Sequence, residues 1–272
     1  MLSPIYEPHI FQDQALPFFF HHDVIAAGRS CWLNWHTNVE VLYCREGEGI
    51  LFCEGRSHRM VAGDILVINA NQLHYTYTDT HLAYYCLIPD QRFCTENGIP
   101  TDHLFFKEHI QDVQLATQYE SILSAYAEQG ATRTASIRHA VLGLMLLLYS
   151  RFLEPVPPPA ATTKATQERI KEVIRYIREN LDKDLNLDII AGQIGISKFY
   201  LSREFKKQTG QTLVSHINET RCKEAKRLIE GGMSISAAAL SCGFENLSYF
   251  SRIYKRMIGK LPSGERASKT EK

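Results

Sequence analysis

Leu201-Ser202-Arg203-Glu204-Phe205-Lys206 is answered further on by Phe250-Ser251-Arg252-Ile253-Tyr254-Lys255. Ile190-Ala191 with Gly195 is echoed in the same way by Ala238-Ala239 with Gly243, and Gly210 by Gly259. Internal repetition fixes architecture before any other signal is weighed. Each copy reads as a helix, a glycine turn and a second helix with a polar, basic outer side. That is the helix-turn-helix pattern, whose second helix enters the DNA major groove. A helical bundle with a solvated outer face is the alternative for any single residue, but it does not explain the duplication.

Working outward, Ile170, Val173, Ile174 and Ile177 set one apolar stripe on a helix from about Thr166 to Asn180. A short helix is expected over Asp188–Gln193, with Ser197 capping the first recognition helix. Tyr200, Leu201 and Phe205 have core spacing there. Lys198, Phe199, Ser202, Arg203 and Lys206 lie outward. A long helix over Gln211–Glu230 joins the copies. The second recognition helix starts near Asn246, with Leu247, Ser248, Ser251, Arg252 and Lys255 outward and Phe250 and Tyr254 inward. Arginine suits bidentate pairing with guanine, whereas lysines one turn on suit phosphates.

Charge supports this division. Residues 1–163 carry 9 Lys+Arg against 17 Asp+Glu, and residues 164–272 carry 21 against 13, so a net charge of zero conceals −8 and +8. A basic C-terminal part is the footprint of a nucleic-acid binder. The sign changes at Glu154-Pro155-Val156-Pro157-Pro158-Pro159, whose prolines favour an extended spacer. A linker over 154–166 and a tandem helix-turn-helix domain over 167–269 are therefore expected.

Residues 1–95 read as β-rich, with runs at Glu40–Cys44, Ile50–Cys53, Asp64–Asn69, Tyr75–Thr78 and Leu82–Ile88 between Gly, Asn and Asp turns. Regular short spacing suggests an antiparallel barrel or jelly roll. Residues 109–129 and 134–153 read as two helices inside a helical segment spanning 96–153. Leu115, Tyr119, Ile122, Leu123 and Tyr126 share one stripe of the first. The second is apolar on most of its surface and must be buried, in the core or at a dimer interface. The fold class is thus α+β and multidomain, with an antiparallel barrel plus helical pair ahead of an all-α domain holding two helix-turn-helix motifs.

Seven scattered cysteines without a CxxC point to reduced thiols in a cytoplasm. No basic region followed by an apolar core marks a signal peptide, and no apolar stretch approaches the roughly 20 residues that span a bilayer. No nucleophile–base arrangement is legible, so no catalysis is expected.

Residues 167–267 resemble the DNA-binding domain of AraC/XylS-type transcription regulators. Gly195-Ile196-Ser197, Tyr200 to Lys206 and Gly210 match its first half. Arg221, Ala225 and Leu228-Ile229 match the linking helix. Gly243-Phe244-Glu245-Asn246, Tyr249 to Lys255 and Gly259-Lys260-Leu261-Pro262 with Arg266 match the second half. Ala238 replaces the usual Ile, Tyr254 the usual Phe, and Glu265 the usual aromatic, departures expected to soften packing. The resemblance implies contacts with double-stranded DNA through Lys198, Phe199, Ser202, Arg203, Lys206, Asn246, Leu247, Ser248, Ser251, Arg252 and Lys255. It also implies a cytoplasmic homodimer with RNA polymerase as a further partner and no membrane association. Activation and repression stay open.

Asn34-x-His36-x-x-x-Glu40 with Gly47, then Gly63-Asp64 leading to His74, resembles the two cupin motifs. A metal cupin gathers three His and a Glu inside its barrel. Asn34 stands here where the first His belongs, and Asn69 and Asn71 replace the usual Pro and Gly. No metal or other cofactor is therefore expected. Trp32, Trp35, His36, Glu40, His74 and Tyr75 instead combine apolar faces with a few polar groups, as effector pockets do. A sugar or related hydroxylated metabolite fits them. Three alternatives remain: His36 and Glu40 simply satisfying each other, a barrel serving only dimerisation, or a metal-dependent cupin enzyme with a DNA-binding tail.

Overall fold

The computed structural model describes residues 15–31, 33–155 and 163–267. They fall into two compact units that divide at Thr163. In chain order the strands are β1 (Phe18–Ala26), β2 (Arg29–Ser30), β3 (Glu40–Cys53), β4 (Arg56–Val61), β5 (Ile65–Ile68), β6 (His74–Thr78) and β7 (His81–Pro89). Helix α1 (Gln91–Glu96) precedes the short β8 (His109–Ile110), and helices α2 (Val113–Ala127) and α3 (Arg133–Arg151) complete the first unit.

All strand pairs are antiparallel. One ladder runs β1-β7-β3-β5-β8, and a second is built by β2, β6, β3 and β4. Strand β3 belongs to both. Residues 40–47 pair with β5 and β7, and residues 48–53 with β4 and β6. The expected barrel thus takes the form of two antiparallel sheets sharing one long strand.

That long strand differs from the sequence expectation of two runs, Glu40–Cys44 and Ile50–Cys53, with residues 45–49 between them. A register shift between Cys44 and Glu46 absorbs the irregularity within the strand instead. Strands β1 and β4 were not anticipated, because His21-His22-Asp23 and Arg56-Ser57-His58-Arg59 hide the apolar alternation. The first unit's helices are shorter than expected. Residues 109–110 form β8, and Asp112 caps α2 by accepting from Leu115 N at 2.9 Å.

The central strands of the first ladder are buried on both faces, which explains continuous apolar runs such as Val41-Leu42-Tyr43-Cys44 and Ile65-Leu66-Val67-Ile68. Leu42, Cys44, Leu66, Ile68, Tyr84 and Cys86 join Leu51, Cys53 and Met60 in one interior cluster. The alternate residues Val41, Tyr43, Ile65, Val67 and Leu87 join Leu115, Tyr119, Ile122, Ile137, Leu144 and Leu148 in a second cluster under the helices. Polar groups fasten the layers. Tyr119 Oη donates to the Val41 carbonyl at 3.1 Å, and Tyr43 Oη donates to Glu120 at 3.0 Å. Arg45 also pairs with Glu120. Helix α3 is not buried all round as expected, since Leu146 is 57% exposed.

The second unit is helical: α4 (Lys164–Glu179), α5 (Leu187–Ile194), α6 (Lys198–Thr209), α7 (Leu213–Glu230), α8 (Ile235–Ser241), α9 (Leu247–Ile258) and the short α10 (Gly264–Ala267). Caps set most starts: the side chains of Thr163, Asn186, Ser197, Thr212, Ser234 and Asn246 each accept a backbone N–H of the following turn. Thus α4 begins before the expected Thr166, and α7 after Gln211. Prolines 157–159 of the expected linker lie outside the described residues.

Candidate nucleic-acid interface and effector site

In each copy a glycine ends the first helix in the left-handed region, with φ 72° at Gly195 and 76° at Gly243. Two to three residues later a cap opens the recognition helix. Ser197 Oγ accepts from Tyr200 N at 3.2 Å, and Asn246 Oδ1 from Tyr249 N at 2.8 Å. Leu201 and Phe205 in α6, and Phe250, Ile253 and Tyr254 in α9, are buried. The remaining helix faces are thereby turned outward.

Lys198, Phe199, Ser202, Arg203 and Lys206 are all exposed on α6, Phe199 by 79%. Leu247, Ser248, Arg252 and Lys255 are exposed on α9, and Asn246 just before it, while Ser251 is half-buried. The two arginines repeat one local arrangement. Arg203 lies over the Tyr200 ring at 5.7 Å, and Arg252 over Tyr249 at 5.5 Å. Cations held over aromatic faces are pre-oriented but remain available at the surface. Arg203 also donates to Glu204 at 3.0 Å, and Lys198 pairs with Asp188 at 2.9 Å. Arg221 of α7 braces the unit by donating to the carbonyls of Leu181 at 3.0 Å and Lys183 at 2.7 Å.

Three expected effector residues meet inside the first unit. His36, Glu40 and His74 are 1%, 8% and 5% exposed. Glu40 opens β3 and His74 opens β6, while a bridge pairs Asn34 with His74 and brings residue 36 beside them. His36 Nε2 lies 2.9 Å, and His74 Nε2 3.2 Å, from the same oxygen, Glu40 Oε2. His36 Nδ1 is 2.9 Å from the Asn38 carbonyl, and His74 Nδ1 is 2.9 Å from the Gln72 carbonyl. The Cys86 thiol donates to Glu40 Oε1 at 3.1 Å. Burial pushes the Glu40 carboxyl up, but the bonds to His36 and His74 outweigh it and hold the group well below the usual range. Burial pushes the Cys86 thiol well up, so it stays protonated.

The other expected residues are placed differently. Tyr75 follows His74 on a strand, so its side chain leaves on the opposite face, where it stacks on Phe52 at 5.3 Å. Trp35 is buried, and Trp32 lies outside the described residues. Cys86, Tyr84 and Thr76 were missed. Tyr84 Oη is 3.0 Å from both Thr76 Oγ1 and Cys31 Sγ, a buried polar chain in the same interior cluster. The even-numbered positions of Leu82–Ile88 share one strand face, and that periodicity could have identified Tyr84 and Cys86.

Comparison with known proteins agrees with both halves. A helix-turn-helix domain model matches residues 190–268, and an AraC-like ligand binding domain model matches residues 17–147. The regulatory protein SoxS of Escherichia coli is 35% identical over 101 residues, which cover 37% of this chain and 94% of SoxS. The chain belongs to the AraC/XylS-type family of transcription regulators. Among full-length relatives of this regulator, the HTH-type transcriptional activator RhaR of an Enterobacter species is 25% identical over 242 residues, 84% of each chain. The crystal structure of ToxT from Vibrio cholerae superposes with a TM-score of 0.45 at 15% identity, covering 91% of this chain and 96% of ToxT. This AraC-type protein is a DNA-binding regulator with a ligand-binding domain, and the enzyme alternative is set aside. No helix among the described residues is long and apolar enough to cross a membrane.

Proposed function

We propose that this regulator is a cytoplasmic homodimer whose DNA affinity answers to a small hydroxylated metabolite, a sugar or a close relative, bound by the first unit. The observation that carries the reading is Glu40, an ionised carboxylate buried between two imidazoles. Buried charge is costly unless it is paired. A ligand hydroxyl can replace an internal partner of Glu40 at little cost, which gives selectivity. Tyr84 and Thr76 supply further hydroxyl partners on the same interior. Trp32, Trp35 and Tyr75 complete the proposed effector set.

The DNA contacts we propose are Arg203 and Arg252 to bases, helped by Phe199, Ser202, Asn246, Leu247, Ser248 and Ser251. Lys198, Lys206 and Lys255 meet phosphates. The two helices of one chain take successive major grooves about 34 Å apart. The domains are 1–95 for the effector, 96–153 for dimerisation, 154–166 as linker and 167–269 for DNA. Exposed Leu146, with Val113 at 83% exposure, supports pairing through α2 and α3. RhaR is named a transcriptional activator, which supports activation through RNA polymerase.

The test is a reporter assay in cells grown on a panel of sugars and sugar acids, with Glu40→Ala beside the unaltered chain. The expected result is a stable variant that binds operator DNA but no longer responds. A stable Glu40→Ala protein with a normal response rules this pocket out. One that unfolds favours an internal His36–Glu40 brace that senses nothing.

A further inference from the structure

We propose that Thr166 and Asn218 are positioning residues for DNA recognition: through the hydroxyls of Tyr200 and Tyr249 they hold Arg203 and Arg252 in the orientation that meets bases. This role rests on the proposed contact of both arginines with DNA, and it concerns what orients them before DNA arrives.

Each arginine follows its tyrosine by three residues, the spacing that makes side chains neighbours on one face of a helix. The guanidinium carbons lie 5.7 and 5.5 Å from the ring centroids. A ring that swings carries its arginine with it, and each ring is tied at its far end. The Tyr200 hydroxyl is hydrogen-bonded to Thr166 Oγ1 at 3.1 Å, and Asn218 Nδ2 donates to the Tyr249 hydroxyl at 3.2 Å. Thr166 and Asn218 are 8% and 5% exposed, whereas Tyr249 is 38% exposed. In each copy a tether thus runs from a buried polar group to a surface arginine.

The two tethers occupy matching places. Thr166 belongs to α4, the helix leading into the first helix-turn-helix, and stands 34 residues before Tyr200. Asn218 belongs to α7, which leads into the second, and stands 31 residues before Tyr249. The two residues differ in type, so repetition in the sequence does not mark them. Thr166 is fixed in turn by Thr163, with 2.9 Å between the hydroxyl oxygens. One difference separates the copies. Arg203 also donates to Glu204, whereas Ile253 stands at the corresponding position beside Arg252. Arg252 should therefore depend more on its tether.

A surface arginine samples many rotamers, and that freedom is lost on binding. A pre-oriented fork loses less, and it presents guanine with the plane that bidentate pairing requires.

The full-length chain is first used to select a duplex from a random-sequence library. Dissociation constants for that duplex are then measured by fluorescence anisotropy. Tyr200→Phe and Tyr249→Phe remove only the hydroxyls, and Thr166→Val and Asn218→Leu remove their partners. Each should weaken binding by about 2–12-fold, the ordering cost of one long side chain. Arg203→Ala and Arg252→Ala should weaken it by about 5–150-fold. Thr166→Ser, which keeps the hydroxyl, should recover most of the Thr166→Val loss.

Crossed double-mutant cycles decide the matter. Tyr200→Phe and Thr166→Val should have no further effect once Arg203 is alanine, yet add in full to Arg252→Ala. Tyr249→Phe and Asn218→Leu should show the reverse. Losses that add to both arginine substitutions mark a general weakening of the fold and overturn the proposal, as do phenylalanine variants that bind like the unaltered chain. Arginine variants of unaltered affinity overturn the base contacts as well, whereas intact arginine losses with additive cycles overturn the tethers alone. Thermal unfolding of every variant accompanies the titrations. If Thr166→Val or Asn218→Leu does not fold, the phenylalanine variants carry the cycles, since each lacks one oxygen on a partly exposed ring.

Discussion

The hydroxyl of Tyr254 donates to Glu265 Oε1 at 2.8 Å, while Lys260 Nζ approaches Glu265 Oε2 at 2.7 Å. Tyr254 and Glu265 are two of the positions at which this chain departs from its family's pattern. Rather than softening the packing, they answer each other. Tyr254→Phe leaves a buried carboxylate short of one donor and should cost about 1.5–3 kcal/mol. Making Glu265 aromatic as well should recover much of that loss, because neither polar group is then stranded. Urea unfolding of the two single variants and the double variant forms the cycle, and strictly additive losses would show that the two residues do not cooperate.

The two turn glycines should respond unequally to alanine. An ideal Cβ at Gly195 meets nothing within 4 Å, so Gly195→Ala carries only the left-handed backbone cost of about 1–2 kcal/mol. At Gly243 the same Cβ would overlap the Leu181 carbonyl oxygen and the Arg221 guanidinium. Gly243→Ala should therefore exceed about 4 kcal/mol, in the range of severe core damage. Denaturation midpoints decide this, and equal losses contradict the packing of the second turn against the end of α4.

Acid should weaken the second unit through His216. Burial pushes this imidazole down to about 4. The unfolded chain therefore binds a proton that the folded chain refuses. Stability is complete above pH 6.5 and falls as pH drops from there towards 4, by up to about 3 kcal/mol. Unfolding free energies between pH 4.5 and 7.5 should show this slope, and His216→Gln should flatten it. A variant that retains the full slope would assign it to other groups.

Arg203→Ala and Arg252→Ala should each lower specific operator affinity by about 1–3 kcal/mol if the contacts are bidentate to guanine. Lys206→Ala should weaken specific and nonspecific DNA alike and reduce the salt dependence of binding. Gel-shift titrations at several salt concentrations separate these outcomes. Wild-type affinity in both arginine variants would remove these helices from the groove.

The second unit was legible because its information is local. Caps such as Ser197, turns such as Gly195 and the spacing of Leu201 and Phe205 each sit within a few residues, and duplication repeats the message. The first unit hid more. Charged and imidazole side chains on β1 and β4 masked their alternation, and a glycine-rich stretch concealed that residues 40–53 are one strand. His36, Glu40 and His74 could be named from spacing. Which atom each ring offers could not, because that is set by the Asn38 and Gln72 carbonyls, backbone groups whose positions depend on the completed fold. Tyr254 and Glu265 read as two flaws for the same reason: residues eleven apart meet only after α9 turns into α10.

Strand β3 places Glu40 towards the interior and Val41, the next residue, under the helices. The Val41 carbonyl is latched by Tyr119, and Tyr43 and Arg45 are latched by Glu120. Pleating makes the two sides of the sheet successive links of one chain. Any movement of Glu40 must pull against those latches. The interior and α2 are separated by a single peptide unit and one hydrogen bond, a linkage with very little slack.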